Sequence, residues 1–123
     1  MSGNNVLLDS NIILYLLSGE ETLIPLLEDK KLYVSFITQL EILGFKGITK
    51  DEQEKIQQFL SECIVIDINP VIKNFAIDLR RRYHIKLPDS IIMATSLYLN
   101  IPIITADKDY SKVEEIDLIY FSK

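Results

Sequence analysis

The chain has little with which to staple itself or to build a soft-metal site. Its 123 residues include one cysteine, Cys63, so no intrachain disulfide can form. One histidine, His84, is too few for a zinc site of histidines within one chain. No serine stands in a Gly-x-Ser-x-Gly frame, which removes the usual setting for a nucleophile paired with His84. Four glycines and four prolines are too few for a low-complexity or disordered chain. There is no internal repeat, and no apolar run approaches the roughly 20 residues of a membrane span. Met1-Ser2-Gly3-Asn4-Asn5 has no basic residue, so no signal peptide is expected. The chain therefore reads as cytoplasmic.

What is present suits one compact domain over residues 1–123, with 48% hydrophobic residues to build its core. Short apolar runs predict strands over 6–9, 32–35, 64–68, 101–105 and 118–121. Between them, helical spacing predicts helices over 12–17, 20–29, 38–45, 49–62, from Pro70 onward, and 88–100. Thr49 with Glu52 three residues later signals a capped start. Val71, Phe75, Leu79 and Tyr83 repeat every four residues as an apolar stripe. The helix after Pro88 is apolar almost all round and is expected to be buried. Such alternation implies an α/β fold with a parallel sheet covered on both faces.

Four acids sit where these elements begin or end: Asp9, Glu41, Asp89 and Asp107. Each has a purely structural reading. Asp9 and Asp89 can cap helices, Asp107 can close an Asx turn, and Glu41 can be a solvated helix residue. Gathered at the C-terminal ends of parallel strands, where α/β sheets bind ligands, they instead form a carboxylate pocket. Such a pocket calls for a hard cation such as Mg²⁺ or Mn²⁺. The net charge of −5 argues against a nucleic-acid partner, yet setting these four acids aside leaves only −1. Much of the acidity is then the site itself.

The flanks group the four. Asp9-Ser10-Asn11-Ile12, Ser35-x-x-Thr38-x-x-Glu41, Leu87-Pro88-Asp89-Ser90-Ile91-Ile92-Met93-Ala94 and Ile103-Ile104-Thr105-Ala106-Asp107-Lys108-Asp109-Tyr110 resemble, in order, the four motifs of the PIN domain family, and in particular toxins of the VapC type. Tyr110 stands where Phe is more usual. The resemblance implies a three-layer α/β/α fold around a central, mostly parallel five-stranded sheet. It implies a metal site of Asp9, Glu41, Asp89 and Asp107, supported by Ser10, Asn11, Thr105 and Asp109. It also implies a Mg²⁺- or Mn²⁺-dependent endoribonuclease that hydrolyses RNA by metal-activated water. The partners it implies are a small cognate antitoxin, as in a type II toxin–antitoxin pair, and a second copy in a homodimer. Apolar surface from 12–17 and 23–27 is the candidate interface.

Arg80, Arg81, Arg82 and Lys86 could position phosphates or could be a solvated helix face. Tyr83 and Tyr110 could stack on unpaired bases. Three other readings stay open: a housekeeping PIN nuclease acting on RNA or DNA, a non-catalytic PIN-like binding module, and a phosphoacceptor receiver domain. The last wants an acidic pair after its first strand, where Asp9 has Ser10 and Asn11 beside it.

Overall fold

The computed structural model describes residues 4–123; Met1, Ser2 and Gly3 of the polar N-terminus lie outside them. Five strands form one parallel sheet in the order β3-β2-β1-β4-β5: β1 (Asn5–Leu8), β2 (Lys31–Ser35), β3 (Ile64–Ile66), β4 (Ile103–Thr105) and β5 (Leu118–Tyr120). Leu7 pairs with Tyr33 on one side and Ile103 on the other. The central strand reads Val6-Leu7-Leu8 because both of its faces are covered. Val6 and Leu8 point into one core with Ile12, Ile13, Ile56 and Leu60, whereas Leu7 points into another with Leu79, Ile92 and Met93. This alternation across the sheet makes three layers.

The helices are α1 (Ser10–Leu17), α2 (Ile24–Leu27), α3 (Phe36–Leu43), α4 (Lys50–Leu60), α5 (Pro70–Arg82) and α6 (Leu87–Leu99). The first strand, helix α4 and helix α6 lie within a residue or two of their expected bounds. In α4 both halves of the capping box form: Thr49 Oγ1 accepts from Glu52 N, and Glu52 Oε1 accepts from Thr49 N. Helix α6 buries every residue from Ser90 to Ser96. Its polar side chains are satisfied internally, with Thr95 and Ser96 donating to the carbonyls of Ile91 and Met93. It stops at Asn100, which takes the left-handed conformation at φ 56°.

Two expectations fail. The helix expected over 20–29 is a 3₁₀ turn, Glu21–Leu23, followed by the single turn α2. Pro25 has no N–H to donate and suits only a first turn, so it restarts the helix instead of continuing it. The buried face of α5 is Ile72, Ala76 and Leu79, while Val71 and Phe75 are exposed. Steps of four drift by about 40° each around a helix, whereas steps of four and three hold one face. Within the segments of the candidate interface, Ile12, Ile13, Leu23 and Leu27 are buried, while Leu14, Ile24, Pro25 and Leu26 are exposed. Cys63 is half-buried, and its thiol pKa is pushed up to about 11, first by burial and then by Glu62. Among the described residues no helix is long and apolar enough to cross a membrane.

Candidate functional site

Successive crossovers leave β1 toward β2 and β3, and the chain then returns to place β4 on the other side of β1. The C-terminal ends of β1 and β4 therefore flank the switch point of the sheet, the place where open α/β sheets form a crevice. Asp9 follows β1 directly and is buried at 6% exposure. Its Oδ1 accepts from Ser10 N at 2.8 Å, which caps α1, and its Oδ2 accepts from Thr105 Oγ1 at 2.6 Å. The capping role and a place in the acidic site thus coexist in one carboxylate. Thr105 closes β4 and is itself fully buried, and its Oγ1 accepts from Asp107 N at 3.1 Å. Asn11 Oδ1 accepts from Ala106 N at 3.3 Å, tying the end of β4 to α1.

Glu41 projects from α3 and is exposed. Ser10 Oγ donates to Glu41 Oε1 at 2.8 Å and lies 3.3 Å from the buried Thr38 hydroxyl. Asp89 sits in the first turn of α6, with Pro88 before it, and is half-buried. Tyr110 reaches it from the 3₁₀ turn Lys108–Lys112, donating its hydroxyl to Asp89 Oδ1 at 3.1 Å. Asp107 makes the Asx turn, its Oδ1 accepting from Asp109 N at 2.9 Å. Asp109 is exposed. Asp89, Asp107 and Asp109 line a cavity of about 360 Å³ together with His84, Lys86 and Lys112.

The acids feel one another. Asp9 has its pKa raised, chiefly by burial; the Thr105 and Ser10 hydrogen bonds oppose the rise and the Asp89 charge adds to it. Asp89 is raised too, again chiefly by burial, with the Tyr110 bond and Lys86 pulling down and Asp107 and Glu41 pushing up. Loss of hydration and like-charge repulsion both disfavour ionisation. No group of three acidic, histidine or cysteine side chains among the described residues is arranged to hold a metal ion as it stands. Uncompensated carboxylates repel, and Glu41 and Asp107 each engage an oxygen with a local donor. The donor set still suits a hard dication: it is all oxygen, and added positive charge would restore ionisation at both weakened acids.

The basic residues divide. Arg82 is held by Asp78, at 2.7 Å, and by Glu115, and these contacts raise its pKa. Arg80 and Arg81 are exposed on the last turn of α5, and Lys86 lines the cavity. Neither tyrosine is free to stack on a base. Tyr110 is 1% exposed, and Tyr83 donates its hydroxyl to Glu115 at 2.6 Å while Arg82 lies over its ring. Sequence reasoning missed His84 and Lys112 as cavity residues. Their signal was only proximity in the chain to Asp89 and Asp109.

The model of the PIN domain family matches residues 6–116. Among solved structures, a toxin–antitoxin complex from Klebsiella pneumoniae is similar at a TM-score of 0.80 and 30% identity, covering 93% of this chain and 95% of that one. VapBC2 from Rickettsia felis, bound to a DNA fragment from its promoter, is similar at a TM-score of 0.83 and 18% identity, covering 96% and 99%. VapBC-1 from nontypeable Haemophilus influenzae is similar at 0.75 and 24%, covering 94% and 97%. The last two likenesses show the fold alone. No curated protein matches. With its strand order, its switch-point acids and 111 consecutive residues matched, the chain belongs to the PIN domain family.

Proposed function

We propose that this chain is a divalent-metal-dependent endoribonuclease and the toxin of a VapBC-like pair. The observation that carries the proposal is the hydrogen-bonded set at the switch point, in which Ser10 joins Asp9 to Glu41, Thr105 joins Asp9 to the backbone of Asp107, and Tyr110 reaches Asp89. Family membership supports nuclease chemistry, and likeness to the Klebsiella toxin–antitoxin complex supports an antitoxin partner. Asp9, Glu41, Asp89 and Asp107 would hold Mg²⁺ or Mn²⁺. When bound, the cation supplies an activated water and charge neutralisation for in-line displacement at a phosphodiester.

The chain's own groups do the rest. Thr105 and Ser10 orient the Asp9 carboxylate, and Asn11 fixes the loop that carries Asp107. Lys86 and Lys112 on the cavity wall attract the substrate backbone toward an otherwise acidic cleft. The exposed Leu14 and Phe45 border a second, apolar cavity that also includes Leu17 and Ile56, and this is where a partner helix would bury its apolar face. A homodimer would join two such domains.

The test is cleavage of structured RNA, unstructured RNA and single-stranded DNA, with Mn²⁺ and with chelator. Cleavage of RNA that chelator stops, and that Asp9→Asn and Asp89→Asn both abolish with the fold retained, is expected. Full activity in either variant, or cleavage indifferent to chelator, overturns the assignment. Preference for DNA would reassign the substrate.

A further inference from the structure

The Tyr110 hydroxyl has no part in the function just described, yet it reaches into the centre of the acidic site. Its ring is 1% exposed and packs in the core beside Leu7, Ile92, Met93 and Ile103. Its backbone is fixed at both ends of the 3₁₀ turn, with Tyr110 N donating to Asp107 O at 3.2 Å and Val113 N donating to Tyr110 O at 3.2 Å. A ring held in this way cannot follow the carboxylate, so the carboxylate must come to the hydroxyl. The contact is a donor 3.1 Å from Asp89 Oδ1.

We propose that Tyr110 is a positioning residue for the metal site: its hydroxyl holds one oxygen of Asp89 and leaves the other turned to a divalent cation. The proposal rests on the reading of the four acids as metal ligands. A carboxylate has two oxygens and about four lone-pair directions. Engaging Oδ1 fixes the plane of the group and biases it toward binding through Oδ2 alone. Outer partners of this kind orient ligands and are worth about 10–100-fold in metal affinity.

The variant is Tyr110→Phe, which keeps the buried ring and removes only the donor. Mn²⁺ is titrated calorimetrically into the full native chain, Tyr110→Phe and Asp89→Asn, and the melting temperature of each metal-free protein is recorded. RNA cleavage is then followed as a function of Mn²⁺ concentration. Tyr110→Phe is expected to bind Mn²⁺ about 10-fold or more weakly, with a melting temperature near that of the native chain. Its cleavage should recover as Mn²⁺ is raised. Equal Mn²⁺ affinity in the native chain and Tyr110→Phe overturns the proposal, whether or not the melting temperature falls. If Asp89→Asn loses Mn²⁺ while Tyr110→Phe does not, positioning alone fails and the metal site stands. If the native chain binds no Mn²⁺, the metal-site reading falls and takes this proposal with it.

Discussion

Thr105→Val removes a hydroxyl and keeps the shape, and it acts on the most buried bond of the site. Thr105 Oγ1 donates to Asp9 Oδ2 at 2.6 Å and accepts from Asp107 N at 3.1 Å, with Thr105 fully buried and Asp9 nearly so. A hydrogen bond to a charged group contributes about 1.5–3 kcal/mol, and a neutral one about 1 kcal/mol. Asp107 is partly exposed, so water can replace much of its lost acceptor. The expected loss at neutral pH is therefore about 2–4 kcal/mol. An unfolding entropy of roughly 2.1 cal/mol/K per residue makes this a fall in Tm of about 8–15 °C for a chain of this length.

The pH dependence carries the sharper test. Asp9 already titrates above its ordinary value of 3.8, and the Thr105 bond holds that rise back. In Thr105→Val the folded-state pKa climbs further. The difference between the two proteins is thus full when Asp9 is ionised in both, and it shrinks as pH falls through the folded pKa of Asp9, a window wholly above 3.8. Urea unfolding of both proteins in chelator, from pH 7 downward, measures it. A loss under about 0.5 kcal/mol, or one that stays constant with pH, refutes the account of Asp9.

Two further outcomes are expected. Asp9 and Asp89 both have raised folded pKa values, so their contribution to stability is fully present below 3.8 and is lost as pH rises through those values. Metal-free protein should lose stability over that range, and Mn²⁺ at about 100 times its Kd should restore about 2.7 kcal/mol, or roughly 10 °C in Tm; a Tm indifferent to Mn²⁺ counts against the site. Thr49→Ala breaks the capping box of α4, remote from the acids, and should cost about 1 kcal/mol, near 4 °C, with Mn²⁺ affinity unchanged. A change in that affinity would mean that α4 and the site are coupled.

Elements whose signals are local were legible in the sequence. The capping box at Thr49, the apolar strand Val6-Leu7-Leu8 and the all-round apolar α6 each state their structure within a few residues. The acids could be grouped in the sequence because their flanks carry strand ends and helix starts: Asp9 and Asp107 follow β1 and β4, and Asp89 opens α6. The sequence was silent wherever the answer depends on what packs against an element. The α5 face could be read as Val71-Phe75 or as Ile72-Ala76, and the position of α6 decides. Pro25 marks a helix start that the leucines around it mask. Arg82 looked like one of three equal arginines, but Asp78 is four residues away on the same helix and Glu115 arrives from a distant loop. Tyr110 reads in the sequence as a candidate for stacking on bases, at a position where Phe is more usual. Its hydroxyl acquires meaning only when α6 brings Asp89 to within 3.1 Å.

The strand order has a consequence for biosynthesis. Asp9 is made early, but its partner Thr105 lies 96 residues further on, and β4 must insert beside β1 before the two can meet. A growing chain therefore carries three of the four acids without the strand that organises them. Until β4 arrives, β1 is an open edge and Asp9 has only Ser10 for company. On the proposed ribonuclease reading, the acidic site is in this way kept unassembled while the chain is still tethered to the RNA that encodes it.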